Sequence, residues 1–99
     1  MLAIPQTVTH VASRLHLPVE GLIERSLQAY LRQELRATQF DIADFQDRYN
    51  VMHSTALQAH IEQGKIYSHP AWEDSIEWEH LETYLAHLKR LLEEMPNVS

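Results

Sequence analysis

The sequence predicts an all-α, elongated protein, and three observations predict it. Only 2 of the 99 residues are Gly and 4 are Pro, too few for a fold built from many short elements joined by turns. Two long segments place apolar residues at alternating steps of three and four, the period of one helix face. No segment shows a convincing period-2 alternation of the kind that marks a strand. At most, residues 1–5 form a short extended segment.

The elements follow in order. Val8, Val11, Ala12 and Leu15 share one face, so a first helix is expected from Gln6 or Thr7 to Leu15. His16-Leu17 forms a short connection, and Pro18 suits the first turn of a second helix, where a missing N–H does no harm. Leu27, Leu31, Leu35, Thr38, Ile42, Phe45, Tyr49 and Met52 then form a coiled-coil-like stripe, with Thr38 as a polar intruder. Asn50 is the expected break, because Asn tolerates the left-handed conformation that ends helices. Ser54 is placed to cap a short helix reaching Gln63, with Gly64 as its stop. A last helix starts near His69-Pro70 and carries the seam Trp78, Leu81, Leu85, Leu88, Leu92 and Met95, with Pro96 ending it. Three or four helices are expected in all.

Composition excludes several functions. No run of about 18 apolar residues is present, so no membrane span is expected. No secretory signal is visible in Met1-Leu2-Ala3-Ile4-Pro5, and the expected location is cytoplasmic. Cysteine is absent, which removes disulfides, thiol catalysis and Cys-based zinc sites. Ser13, Ser26, Ser54, Ser68 and Ser75 lack a nucleophile context, and no Gly-rich phosphate loop exists. Neither an enzyme nor a cofactor is expected.

Charge is uneven. Residues 1–40 hold four arginines against three glutamates, a net +1, whereas residues 41–99 hold four basic residues against eleven acids, a net −7. The division is a near-neutral region 1–40 followed by an acidic helical region 41–99, in one continuous structural unit. A chain this short buries only about two thirds of its unfolded surface. Its long seams call for a partner helix, and a second copy is the simplest source.

Two stretches resemble known families. Residues 8–35, with Leu22-Ile23 and Leu27-Gln28-Ala29-Tyr30-Leu31, look like the helix pair of a ribbon-helix-helix module. That resemblance implies dimerisation through Leu22, Ile23, Leu27, Tyr30 and Leu31. Downstream, Arg48-Tyr49-Asn50, Gly64 and Trp72-Glu73-Asp74-Ser75-Ile76-Glu77-Trp78-Glu79 resemble small bacterial helical antitoxins. Those proteins carry a Lys-Tyr-Gly turn, a short helix ending in Gly and an acidic-aromatic stretch. Two features depart from the DNA-reading pattern. The candidate ribbon, residues 1–5, has no Lys or Arg and contains Pro5, and His16-Leu17 replaces the usual Gly between the helices. Phosphate contacts drive most non-specific DNA affinity, so DNA binding stays open but is not favoured at net −6.

The acidic-aromatic block is the most informative stretch. Glu73, Asp74, Glu77, Glu79 and Glu82 have no Lys or Arg among them, and with Trp72 and Trp78 as aromatic anchors they suit a basic partner. A core role for the tryptophans, and a helix-dipole role for the acids, is the plain structural alternative. Glu77-x-x-His80 has half of a di-metal helix pattern, but the second half is missing. His80 with His87 and His53 with His60 lie seven apart, and the expectation is surface histidines with no metal. The leading expectation is a homodimeric antitoxin that neutralises a basic toxin. A DNA-binding transcriptional regulator of the ribbon-helix-helix type, or an antitoxin that also represses its own promoter, and a purely structural oligomerisation module are the alternatives.

Overall fold

A computed structural model of the chain describes residues 4–95. Four helices follow one another: α1 Gln6–Arg14, α2 Val19–Tyr49, α3 Ser54–Glu62 and α4 Ser68–Glu94. No strand occurs among the described residues. Part of the candidate ribbon, residues 1–3, and the expected terminator Pro96 lie outside them, so the strand of a ribbon-helix-helix module is not shown.

Helix ends follow the local chemistry closely. α1 ends in a Schellman motif: Leu17 N–H donates to the Ala12 carbonyl at 2.9 Å and His16 N–H to the Ser13 carbonyl at 3.3 Å. His16 takes the left-handed position, at φ 57°, that Gly usually fills. α3 ends in the same way, with Gly64 at φ 74° and Lys65 N–H donating to the His60 carbonyl at 2.9 Å. Asn50 closes α2 at φ 55° and ψ 39°, as its residue type predicts. Ser54 differs from expectation. It is the first helical residue of α3 rather than its cap, and His53 precedes it without a side-chain capping bond. α4 becomes regular only after His69, whose φ −118° and ψ 125° are extended.

α2 and α4 pack antiparallel. Arg48 of α2 reaches Asp74 of α4 at one end, and Tyr84 of α4 reaches Glu34 of α2 further along. α3 lies against α4, with Ser54 at Glu82 and Gln58 at Glu79. The core between the three contains Ile42, Phe45, Leu57, Ala71 and Trp78, flanked by Tyr49, Val51, Ile61, Ile66, Leu81 and Leu85. Thr38, the intruder in the α2 stripe, is buried, and its hydroxyl donates to the Glu34 carbonyl one turn back at 2.8 Å. A buried hydroxyl with a backbone partner leaves no polar group orphaned.

The stripe is covered only in its middle. Met52 lies beyond the end of α2 and is exposed, and Leu27, near the other end, is 51% exposed. α1 packs against the N-terminal part of α2 with Ala12 as its one buried residue. Between them runs an apolar groove of about 400 Å³ walled by Val8, Val11, Leu22, Ile23 and Leu27. The molecule measures 60 × 25 × 23 Å, with a radius of gyration of 19.5 Å. A compact chain of this length would have about 13 Å. α2 runs without interruption through residues 40 and 41, where the charge balance changes.

Candidate partner-binding surface

The acidic-aromatic block falls on about the first four turns of α4, and the helix sorts its residues by face. Trp78 points inward. It is fully buried, and its ring stacks on Phe45 at 5.7 Å between centroids and 13° between planes. This corrects the expectation of a second aromatic anchor: the 3.6-residue period places Trp78 on the same side as Ala71 and Ser75, both buried. Its indole N–H has no hydrogen-bond partner, so a large aromatic is held here by packing alone.

Asp74 and Glu82 are internal fasteners. Asp74 Oδ2 accepts from Arg48 Nη1 at 3.0 Å and also from the Tyr49 hydroxyl. Arg48 is held in turn by Asp44 at 3.0 Å and lies over the Phe45 ring at 5.1 Å. The hydrogen bond to Asp74 raises the Arg48 pKa. Burial, followed by the bond to Asp74, pushes the Tyr49 phenol above its ordinary range. Glu82 accepts the Ser54 hydroxyl at 2.5 Å and the Ser54 N–H at 3.1 Å, with His53 Nδ1 at 3.9 Å. Two of the five acids therefore bind α2 and α3 within the chain.

The rest face outward. Trp72 is 47% exposed and Ile76, one turn on, 40% exposed. A row of acids runs beside them. Glu73 lies 2.9 Å from His69 Nδ1, and its own backbone N–H, then His69, hold its carboxyl below the usual range. Glu77 is exposed, and Glu79, also exposed, accepts Gln58 Nε2 at 3.3 Å. No Lys or Arg occurs between residues 66 and 88. The resulting surface joins an apolar ridge to an uncompensated acidic flank. Ile76 is not among the expected partner-binding residues, although it stands four residues after Trp72 and so on the same face.

The residues expected to dimerise lie at the other end of the molecule. Leu22, Ile23 and Leu27 line the α1–α2 groove. Tyr30 is 58% exposed, while Leu31 is half-buried. His80 and His87 are exposed on α4, and His53 precedes α3 while His60 lies in its last turn. Among the described residues, no group of three or more His, Asp and Glu is placed to hold a metal ion. Likewise among the described residues, no helix is long and apolar enough to cross a membrane.

Fold and surface together define an elongated, helical protein, and nothing among the described residues points to an enzyme. A family model described as the Uncharacterized protein MJ0235 family matches residues 1–99, and the chain belongs to that family. No curated protein and no solved structure matches the chain.

Proposed function

We propose that the chain is a homodimeric binding protein of antitoxin type, which occludes a basic protein partner with the outward face of α4. The observation that carries this reading is the exposure of Trp72 and Ile76 beside Glu73, Glu77 and Glu79. Aromatic anchors supply most binding energy when a partner dries them. The surrounding carboxylates steer a cationic surface and stand where nucleic-acid phosphates would sit on a basic nuclease. The resemblance of the Trp72–Glu79 stretch to small antitoxins supports the same reading.

Co-expression of the full chain with the product of the adjacent gene tests it. A stable complex, growth rescue, and loss of both with Trp72→Ala are expected. No complex and no rescue would overturn it.

A second reading, a DNA-binding regulator, is favoured by one observation. Arg25, Arg32 and Arg36 are all exposed, and their spacing of seven and four puts them on one flank of α2. Retention on DNA that weakens steeply with salt, by the dimer alone or with its partner, would support it.

A further inference from the structure

Two features on α2 have no role in the packing of a single chain. One is Phe40, which is 75% exposed on the side of α2 facing away from α4. The other is the apolar groove that α1 forms with the N-terminal turns of α2, lined by Leu22 and Ser26 among others. Phe40 stands eighteen residues after Leu22, which is five turns at about 3.6 residues per turn. Knob and groove therefore lie on one face of a straight helix. Between them that face carries Ser26, Ala29, Tyr30, Gln33 and Ala37, uncharged at neutral pH and three of them small enough for close backbone approach, with Arg36 at its edge beside Phe40.

We infer that a second copy of this chain covers this face, with the two α2 helices antiparallel and the Phe40 of each protomer seated in the α1–α2 groove of the other. The arrangement follows from symmetry. A two-fold axis midway between Ser26 and Phe40 falls at Gln33, and it brings each knob onto the partner's groove in the same operation. One interface then buries both exposed features twice.

Three further observations support a second copy as the occupant. The chain exposes 7653 Å², whereas a compact monomer of 11.6 kDa exposes about 5,800 Å². The excess exceeds the roughly 800 Å² that each partner contributes to a standard stable interface. α1 is nine residues long and buries only Ala12, and helices this short are marginal without cover. Finally, residues 1–40 carry a net charge of only +1, so two such regions meet with little repulsion. The acidic regions, at −7 each, are directed to opposite ends of the assembly, where both α4 faces stay accessible.

This inference rests on the dimeric part of the proposed function and makes it specific. The chain has no Cys, so introduced cysteines report contacts cleanly. In one protomer, residues 26 and 40 lie about 21 Å apart along the helix, beyond the reach of a disulfide. The variant carrying both Ser26→Cys and Phe40→Cys should form a covalent dimer under mild oxidation, and Gln33→Cys alone should do the same. Phe40→Cys alone should not. By sedimentation at micromolar concentration the natural chain should be a dimer. Phe40→Asp should weaken that dimer at least tenfold while circular dichroism shows unchanged helicity, since Phe40 supports no core.

A monomer at every concentration would overturn the inference. So would a dimer indifferent to Phe40→Asp that fails to cross-link residues 26 and 40. The two readings fail separately. A dimer with these cross-links that captures no basic partner sinks only the role of α4. Capture by a chain that sediments as a monomer sinks only the dimer.

Discussion

Glu82 of α4 takes both the backbone N–H and the hydroxyl of Ser54, at 3.1 and 2.5 Å. It thereby caps α3 from a different helix, since His53 gives that helix no side-chain cap. A helix start without an acceptor leaves orphan donors, and a carboxylate there also meets the positive end of the helix dipole. Glu82→Ala should lower unfolding stability by about 1–2 kcal/mol in urea titrations. Glu82→Gln should cost less, because it keeps a neutral acceptor. An unchanged urea midpoint for Glu82→Ala would show that water serves α3 equally well.

The two tryptophans should separate stability from binding. Trp78 is fully buried against Phe45, so Trp78→Ala should cost about 3–5 kcal/mol, a large share of the ~5–15 kcal/mol that holds a typical domain folded. Trp78→Phe keeps the stacked ring and removes an N–H that has no partner, and it should cost only ~1–2 kcal/mol. Trp72→Ala should stay within about 0.5 kcal/mol of the natural chain in stability. It should nevertheless weaken partner capture by roughly thirtyfold, the signature of a hot spot. Thermal melts and binding titrations of the three variants decide it.

High pH should loosen the seam between α2 and α4. Tyr49 is raised first by burial and then by its bond to Asp74, and Tyr84 first by its bond to Glu34. In both pairs the protonated phenol is the hydrogen-bond donor to a carboxylate. A raised folded-state pKa contributes stability that is fully present below about pH 10, the unfolded value, and is lost as pH rises through the folded value. Tyrosinate absorbance should therefore show late-ionising phenols, and Tyr49→Phe and Tyr84→Phe should each remove one. Stability of the double variant should fall less steeply above pH 10 than that of the natural chain.

Much of this fold was legible in residue types and spacing. Asn50, Gly64 and the Ser68–Pro70 segment mark helix boundaries because local backbone preferences decide them. The inner faces of α2 and α4 could be read because a 3.6-residue period survives any tertiary context. What a single chain's periodicity does not reveal is which part of a stripe finds a neighbour. Leu27 and Met52 fit the same pattern as Ile42 and Phe45, yet they are exposed, because α4 covers only the C-terminal half of α2 and Met52 lies beyond that helix's end. The acidic block had the same ambiguity. Asp74 and Glu82 look like Glu73 and Glu77 in sequence, and they differ only in that Arg48, Tyr49 and Ser54, 25 to 28 residues away, come to meet them. Phe40 leaves no signal in the sequence, because a lone outward aromatic interrupts no pattern.

The two Schellman ends offer a controlled comparison. His16 at φ 57° and Gly64 at φ 74° occupy the same left-handed position, where a side chain costs roughly 1 kcal/mol relative to Gly. His16→Gly should therefore raise stability by ~0.5–1 kcal/mol, less the extra entropy of Gly in the unfolded chain. Gly64→Ala should lower it by about 1 kcal/mol or more, although no side chain stands within 4 Å of the added carbon. Urea midpoints that move in opposite directions would confirm that backbone conformation, not contact, sets both ends.

The outward acids of α4 should act on association rather than on folding. Glu73, Glu77 and Glu79 are exposed, and Glu73 and Glu77 stand one turn apart, where like charges repel weakly. Changing all three to Gln removes that repulsion but also weakens the tie of Glu73 to His69, so the melting temperature should change little. If they steer a basic partner, the same variant should associate at least tenfold more slowly at low salt and lose most of its dependence on ionic strength. Because Glu73 is held below the ordinary carboxylate range, it keeps its charge as pH falls into that range. Asp74→Asn is the contrasting variant, since it weakens the tie to Arg48 and Tyr49 and should reduce stability with little change in salt dependence. Rapid-mixing kinetics at two salt concentrations separate the cases: equal salt dependence for the natural chain and the triple variant would mean that the charge of α4 does not guide the partner.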